Sequence, residues 1–279
     1  MDYVKPAEII SDALDAAERK STLPARDLLL RGALAGAFLG YATSLVFVVI
    51  SQGVPPIVGA ILFPVGFVML VLLGLELATG NFALLPQGWL AGRVTAGNLL
   101  RNWTWVYTGN LLGSLFYAAL FYLAITNFGS NDGGPLAEAV RQAAQKKTLA
   151  YMALGAKGWG TAFVKAILCN WMVTLGTMLA FASRSTLGKI AAMWLPILTF
   201  FAHGYEHSIV NMYLIPAGIL LKAPISIGTW WWWNQIPVTL GNIFGGAVLT
   251  GFALHATYHP RPEPVPTAIA VGDPIPAER

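Results

Sequence analysis

The feature that most constrains this chain is a series of apolar stretches that are long enough to cross a lipid bilayer. A helix needs about twenty predominantly apolar residues to span the hydrocarbon core. Such stretches run Leu28–Ile50, Ile57–Thr79, Thr104–Thr126, Thr161–Ser183, Ile190–Leu221 and Ile236–Thr257. Charged residues make up only 11% of the sequence, too few to coat a surface that faces water. The sequence therefore predicts an all-α polytopic membrane protein with six transmembrane helices.

Polar residues interrupt two of these stretches. The second ends in Glu76-Leu-Ala-Thr-Gly-Asn81, and the fifth, too long for one straight span, contains Gly204-Tyr-Glu-His-Ser208. Backbone groups that such a break frees are tolerated in a bilayer only where protein buries them or where they line a wet cavity. We therefore predict that the second and fifth helices are broken and that both breaks lie on a pathway.

The two halves of the membrane region resemble each other in the same order along the chain. The matched elements are Glu76 and Asn81 with Glu206 and Asn211, Asn102 and Asn110 with Asn234 and Asn242, and Arg31–Gly36 with Lys165–Asn170. Three spans per half place the two copies in opposite orientations, which predicts an inverted repeat with its site near the midplane. The alternative is that membrane helices reuse small residues and Asn for packing.

Basic residues beside the spans predict the orientation, because they accumulate on the cytoplasmic side. The side that holds both termini has eleven flanking Lys and Arg residues, and the other side has five. We therefore expect both termini in the cytoplasm and the protein in the inner (plasma) membrane. Residues 1–26 are predicted to hold a cytoplasmic amphipathic helix, residues 27–258 the pore domain, and residues 259–279 a disordered Pro-rich tail.

The sequence gives no sign of catalysis or of a bound cofactor. One cysteine, Cys169, excludes a disulfide framework and a cysteine-based metal cluster. There is no Gly-rich phosphate loop, no GxSxG and no HExxH. The net charge of +4 comes without a basic cluster interleaved with aromatic residues, so nucleic acid is not an expected partner. We expect no enzyme activity, no catalytic residues, no metal and no cofactor.

The ionisable residues deepest in the fifth stretch are Glu206 and His207, and they define the predicted site. A charge inside the bilayer costs about 3 kcal/mol and usually faces a pathway. Histidine can donate an N–H or a proton to an anion near neutral pH, so we assign this role to His207. A carboxylate would repel an anion, so we expect Glu206 behind the lining. The alternative is a histidine that only hydrogen-bonds a neighbouring helix.

Other polar residues allow two readings each. Thr79, Asn170 and Asn211 could donate neutral hydrogen bonds in a pore, or they could hold helices together. Lys157 precedes the fourth span and Lys165 lies within it. Each lysine could attract anions into a vestibule, or it could extend to the membrane surface as long basic side chains do.

Three segments resemble the formate/nitrite transporter family. They are its signature, Gly204-Tyr-Glu-His-Ser-Ile-Val-Asn-Met-Tyr-Leu-Ile-Pro216, its fourth-span motif, Leu168-Cys-Asn-Trp-Met-Val173, and its second-span loop, Glu76–Asn81. The resemblance covers roughly Pro6 to Tyr258. It implies an aquaporin-like six-helix protomer in a homopentamer within the lipid bilayer, with one pore in each protomer and a central His that hydrogen-bonds or protonates the anion.

The same resemblance implies roles for further residues. His207 matches the central His, and the family's pore hydrogen-bonding residues match Thr79, Asn170, Asn211 and Glu206. Two apolar constrictions would flank His207, the outer one at Phe63, Phe200 and Val173 and the inner one at Phe67 and Leu77. Ala78 replaces an aromatic residue common in the family, so the inner constriction is expected to be wider. Leu154 stands where the family has a vestibule lysine, which leaves Lys157 as the nearest lysine for that role.

Together these observations predict a channel or proton-coupled transporter for small monovalent anions, with formate as the first choice. Nitrite, hydrosulfide, acetate and lactate are alternatives of the same kind. A neutral-solute or water pore of the aquaporin type is an alternative of another class, but the sequence lacks the paired Asn-Pro-Ala motifs of that class. A membrane scaffold without a pore is the remaining alternative.

Overall fold

The structure is a computed structural model that describes residues 2–258. The predicted tail at 259–279 lies outside the described residues. Within that range the regular secondary structure is helical, and the β-pairing consists of one isolated bridge between Tyr3 and Ser183. Four helices are long and apolar enough to cross a membrane: Ala25–Ser51, Ala96–Ile125, Ala156–Leu179 and Ile227–Tyr258. The prediction of an all-helical membrane protein is confirmed.

The helices are numbered here in chain order. They are α1 Pro6–Thr22, α2 Ala25–Ser51, α3 Pro56–Leu72, α4 Ala78–Leu90, α5 Ala96–Ile125, α6 Gly134–Lys146, α7 Leu149–Ala153, α8 Ala156–Leu179, α9 Thr186–Ala202, α10 Ser208–Leu220 and α11 Ile227–Tyr258. The last of these contains two π-helical stretches, Trp231–Gln235 and Ala247–Phe252.

Local sequence signals explain where several helices begin. Thr95, Ser185 and Ser226 precede α5, α9 and α11, and each side-chain oxygen accepts a hydrogen bond from the backbone N–H three residues later. Such caps satisfy N–H groups that have no partner within the helix. The cap at Thr95 starts α5 eight residues before the predicted Thr104, because the polar residues of its first turns are buried among other helices rather than excluded from the fold.

Two long helix pairs form the centre of the fold, α2 with α5 and α8 with α11. Both pairs come close enough for backbone contact at a glycine. A Cβ atom added at Gly113 of α5 would collide with the carbonyl of Ala33, and one added at Gly245 of α11 would collide with the carbonyl of Ile167. Small residues at such crossings let membrane helices pack closely. The two glycines occupy matching places in the two halves of the sequence.

Helix α1 packs across one end of the bundle. Its buried residues Ile10, Leu14 and Ala17 join an apolar cluster with Leu84 and Leu85 of α4. The opposite face of α1 carries the acidic and basic residues expected of an amphipathic helix.

The chain before α1 is held by the loop between α8 and α9. The backbone N–H of Val4 donates to the carbonyl of Ala182 at 3.0 Å. The Asp2 carboxylate accepts hydrogen bonds from the Ser183 hydroxyl at 2.7 Å and from the backbone N–H groups of Arg184 at 2.8 Å and Ser185 at 2.7 Å. These bonds tie the N-terminal segment to the start of α9.

Candidate functional site

Two non-helical segments of equal length separate α3 from α4 and α9 from α10, at residues 73–77 and 203–207. Each has a glycine at its second position with the same left-handed backbone, φ +64° at both Gly74 and Gly204. Glycine adopts this conformation without the steric cost of a side chain. The helices that follow are both 13 residues long and contain an internal proline at matching places, Pro86 and Pro216. The two segments and the helices that follow them therefore have the same local backbone structure.

A buried carboxylate anchors the first segment. The Lys20 ammonium at the end of α1 donates to Glu76 Oε1 at 2.7 Å. The Asn81 amide donates to Glu76 Oε2 at 2.8 Å and to Asn102 Oδ1 at 2.9 Å. The Asn102 amide in turn donates to the carbonyl of Lys20 at 3.0 Å. The result is a closed ring of polar contacts that joins α1, α4 and α5.

The second segment repeats this ring. The Lys147 ammonium after α6 donates to Glu206 Oε2 at 2.9 Å. The Asn211 amide donates to Glu206 Oε2 at 2.8 Å and to Asn234 Oδ1 at 2.9 Å, and the Asn234 amide donates to the carbonyl of Lys147 at 2.9 Å. Two contacts have no counterpart in the first ring: the Tyr151 hydroxyl of α7 donates to Glu206 Oε1 at 2.8 Å, and the Asn234 amide donates to Glu206 Oε2 at 3.3 Å. Buried charges need this density of partners to offset their desolvation.

A second pair of asparagines fixes the backbone of the two segments. Asn110 Oδ1 accepts from the N–H of Ala78 at 2.9 Å, and its amide donates to the carbonyls of Gly32 at 2.8 Å and Glu76 at 2.9 Å. Asn242 makes the same three bonds to the N–H of Ser208 and the carbonyls of Ala166 and Glu206, at 2.8, 2.8 and 3.0 Å. Every partner stands at the matching place in the other half, so the side-chain pairs predicted from the sequence repeat also match in their hydrogen bonds.

His207 is the last residue before α10 and caps that helix. Its Nδ1 accepts a hydrogen bond from the backbone N–H of Val210 at 3.2 Å, and its Nε2 lies 3.1 Å from the Thr79 hydroxyl oxygen. A neutral imidazole has one protonated nitrogen and one acceptor nitrogen. Because Nδ1 accepts, the proton of the neutral ring lies on Nε2. His207 therefore presents an N–H donor toward Thr79, the second residue of α4.

Asn170 of α8 completes this group. Its amide donates to the carbonyl of Thr79 at 3.1 Å and to the carbonyl of Asn242 at 2.6 Å. Its Oδ1 is buried and makes no hydrogen bond within the described chain. The structure thus brings together three of the predicted site residues, His207, Thr79 and Asn170. The other two polar candidates, Glu206 and Asn211, belong to the ring around Lys147 instead.

Two cavities approach the segments. The first, called here the α1 cavity, has a volume of about 450 Å³ and is lined by Lys20, Phe67, Leu77 and Thr177 among others. The second, called here the α6 cavity, has a volume of about 180 Å³ and is lined by residues that include Lys147, Phe200 and His207. The lysine of each ion pair, Lys20 with Glu76 and Lys147 with Glu206, therefore borders a cavity.

The predicted constriction residues are buried in one apolar cluster: Phe63, Phe67, Leu77, Val173 and Phe200. The Phe63 and Phe200 rings meet edge to face with centroids 5.7 Å apart, and the Phe200 centroid lies 5.7 Å from that of His207. Phe200 borders the α6 cavity, whereas Phe67 and Leu77 border the α1 cavity. Phe63 and Val173 line neither of these two cavities, so the assignment of the five residues to an outer and an inner constriction stays a prediction.

The lysine at the α6 cavity is not the residue chosen from the sequence. Lys157 is exposed in the first turn of α8, whereas Lys147 pairs with Glu206 and lines the cavity. Sequence reasoning also missed Lys20 and Tyr151. A usable signal was present, because Lys20 and Lys147 each lie at the end of the amphipathic helix that opens their half. Tyr151 lies in α7, which has no equivalent in the first half and gives no repeat signal.

Comparison with known proteins agrees with this geometry. A profile of the formate/nitrite transporter family matches residues 7–256. A relative from Methanothermobacter thermautotrophicus named "Probable formate transporter" is 35% identical over 271 residues, which cover 92% of this chain and 97% of the relative. A solved structure described as an "FNT family ion channel" superposes with a TM-score of 0.78 at 28% identity, over 90% of this chain and 98% of that one.

A second solved structure is described as a "Pentameric formate channel with formate bound". It superposes with a TM-score of 0.69 at 28% identity, over 84% of this chain and 97% of that one. The family consists of channels and transporters, so the prediction of a transport protein rather than an enzyme is confirmed. The match over nearly the whole described chain shows that this protein belongs to the formate/nitrite transporter family.

Proposed function

We propose that this protein conducts formate across the inner membrane through a pore that passes His207. The observation that carries the proposal is the buried Nε2–H of His207, which is directed at the Thr79 hydroxyl and borders the α6 cavity. Formate is a small carboxylate that needs a hydrogen-bond donor wherever water is removed from it. The relatives and the solved structure named for formate support this substrate.

The proposal includes a membrane arrangement. Helices α3 and α4 form one interrupted span, as do α9 and α10, which gives six spans in an aquaporin-like inverted repeat. Both termini lie in the cytoplasm, so α1 and its cavity face inward and the α6 cavity faces outward. The protomer assembles as a homopentamer with one pore in each subunit, an arrangement that the pentameric neighbour supports.

In the proposed pathway, the anion first gathers in a cavity beside a lysine. Lys147 serves the outer cavity, in place of Lys157, and Lys20 serves the inner one. Each ammonium is balanced by a buried carboxylate, so it attracts an anion without trapping it as a free charge would. The anion then passes the outer apolar constriction at Phe63, Phe200 and Val173, loses water, and accepts a hydrogen bond from His207. The constriction at Phe67 and Leu77 lies on the inner side.

The hydrogen bonding of His207 favours donation of an N–H over full transfer of its proton. A neutral ring that gave up the Nε2 proton would need to gain one at Nδ1, which already accepts from Val210. Proton-coupled passage would therefore require the hydrogen bond from Val210 to break and form again. Asn170 supports the site from α8, because its amide group donates to the backbone carbonyl of Thr79.

The test is formate flux in proteoliposomes that contain the full chain. We expect the His207→Asn variant to lower formate flux about tenfold or more, because the shorter Asn side chain cannot place its N–H where the imidazole Nε2–H meets the anion. His203→Asn is the matched control, because His203 is exposed, its ring nitrogen contacts the carbonyl of Thr199 at the end of α9, and its ring stacks on Tyr205. Wild-type flux in His207→Asn at every pH would remove His207 from the pathway.

The same vesicles separate the alternatives. Nitrite, hydrosulfide, acetate and lactate are compared with formate at matched gradients across pH. Flux of one of these anions well above that of formate would replace the substrate but keep the pore. Swelling with a neutral solute and no anion flux would favour a pore of the aquaporin type. An absence of any flux from folded protein would favour a scaffold.

A further inference from the structure

A groove on the side of the bundle, between α5 and α11, lies outside the pathway just described. Its volume is about 450 Å³, within the range typical of small-molecule sites. Its walls are aromatic and aliphatic, and its lining includes no charged side chain. Trp103 and Trp231 contribute indole rings to these walls, and the Trp103 ring meets Phe82 edge to face at 5.0 Å.

The floor of the groove is polar. The Tyr107 and Thr239 hydroxyl groups are 2.7 Å apart, and the Gln235 amide donates to the Tyr107 hydroxyl at 2.7 Å. Two hydroxyl groups carry two hydrogens, and their mutual bond uses one. The other hydrogen takes part in no further described bond, so the pair can donate it to a molecule in the groove. A polar floor that faces hydrocarbon is costly unless something accepts that hydrogen bond.

The sequence positions of the two hydroxyl residues indicate how deep the floor of the groove lies in the bilayer. Tyr107 and Thr239 each lie three residues before the matched asparagines Asn110 and Asn242, so they are equivalent residues of the two halves. A bond between equivalent residues crosses the axis that relates the halves. In an inverted repeat that axis lies in the membrane plane. With the arrangement proposed above, the hydroxyl pair is therefore at mid-depth in the bilayer, far from charged lipid headgroups.

The groove also touches the back of the pore. The Trp103 indole N–H donates to the carbonyl of Asn81 at 3.1 Å, and the Gln235 amide lies 3.4 Å from the carbonyl of Ser208. Asn81 and Ser208 belong to the first turns of α4 and α10. Two lining residues at matching places, Trp103 and Gln235, thus connect the groove to both interrupted helices.

We propose that this groove binds an uncharged, lipid-soluble molecule that carries a flat ring and a carbonyl group, as a quinone does. The ring packs between the aromatic walls, and the carbonyl accepts the hydrogen bond from the Tyr107–Thr239 pair. The uncharged lining excludes an ionic headgroup, and an acyl chain offers no acceptor at mid-depth. The occupant reaches the groove from the bilayer rather than from either cavity.

The test is a binding titration of the full chain in lipid nanodiscs with a decyl-substituted benzoquinone. Binding is followed by quenching of tryptophan fluorescence, since two indoles line the groove. We expect saturable quenching, with affinity about tenfold weaker in the Tyr107→Phe/Thr239→Val variant, which keeps the shape and removes both hydroxyls. Thr199→Val is the matched control, since its hydroxyl bonds within α9, away from the groove, and its affinity should equal that of wild type.

Equal affinity in wild type and the double variant would overturn the proposal, as would quenching that never saturates. Formate flux and helical circular dichroism establish that the double variant is folded. A further measurement tests whether a second copy of the chain fills the groove. Leu240→Cys places a thiol on its lining, and a disulfide between copies at that position would overturn the proposal in favour of a subunit contact.

Discussion

The segment before α4 and the segment before α10 share a backbone and a scaffold, but they present different side chains to the cavities. The residue that precedes the helix has φ −116° and ψ 120° at Leu77, and φ −114° and ψ 118° at His207. The Lys, Glu and Asn bonds that form the ring around Glu76 all recur around Glu206. Repetition therefore supplies the structure of the site, and the single exchange of an apolar residue for an imidazole supplies its chemistry.

The two halves also differ in how firmly each carboxylate is held. Glu76 accepts hydrogen bonds from Lys20 and Asn81. Glu206 accepts from its lysine and asparagine and, in addition, from Tyr151 and, at 3.3 Å, from Asn234. The more heavily bonded carboxylate is the one that adjoins His207. Substitutions at matched positions test this difference between the two halves.

The largest effect is expected from removing each carboxylate. Glu206→Ala and Glu76→Ala leave a partly buried lysine and a buried asparagine without their shared partner, and we expect each to lower the free energy of unfolding by about 3 kcal/mol. The loss should be greater at Glu206, because the Tyr151 hydroxyl also loses its acceptor and Asn234 loses one of its bonds. The measurement is a denaturation titration in mixed micelles. A greater loss at Glu76 would contradict the ranking of the two halves.

The asparagines that hold the backbone provide a test of equivalence. Asn110→Ala and Asn242→Ala each remove three hydrogen bonds, and bonds inside membrane proteins contribute about 0.6 kcal/mol on average. We expect each variant to lose about 2 kcal/mol in the same titration, with the two losses equal within error. Clearly unequal losses would mean that the two scaffolds repeat in geometry but not in energy.

A smaller effect should follow from the contact that only the second half has. Tyr151→Phe removes the hydroxyl that donates to Glu206, and we expect a loss of about 1 kcal/mol of stability. Tyr41→Phe is the control, because Tyr41 is exposed. In a Glu206→Ala background the Tyr151→Phe change should cost nothing further. An equal cost in both backgrounds would show that the hydroxyl acts through another partner.

The smallest effect is expected at the N-terminal tether, which the second half lacks. The Ser183 hydroxyl, with the backbone N–H of Ser185, lowers the pKa of Asp2 to about 2. A lowered pKa means that this contribution is complete above about pH 4 and is lost only as the pH falls toward 2. Hydrogen exchange of residues 2–22 should therefore be constant from pH 5 to 8 after correction for intrinsic rates. Asp2→Asn should speed it, and unchanged exchange would contradict the tether.

Sequence reasoning reached most of the fold because apolar length and matched polar spacings are local signals. The pairing of Asn102 and Asn110 with Asn234 and Asn242 was visible as a shared spacing, and the structure gives each pair the same hydrogen bonds. The start of α5 was missed, because Arg101 and Asn102 look too polar for a span when their partners on other helices are unknown. Their partners include the carbonyls of Leu23 and Lys20.

The site was predicted in part for the same reason. His207 and Thr79 stand at the two breaks, so a sequence that shows the breaks also shows these residues. The helix-end position shared with Lys20 favours Lys147 over Lys157, but its contact with Glu206 depends on how the connection through α6 and α7 folds back over α10. Tyr151 was missed because its role rests on one contact with Glu206 across 55 positions of sequence.

The cap that His207 provides to α10 gives the pore a built-in reporter. The imidazole cannot carry protons on both nitrogens and still accept from the N–H of Val210. A cationic histidine and this N-cap hydrogen bond are therefore mutually exclusive. In a spectrum of nitrogen-labelled protein, the Val210 amide signal would move or broaden at the same acidity at which the ring becomes charged. That signal would show whether travelling anions are met by a neutral ring or by a cation.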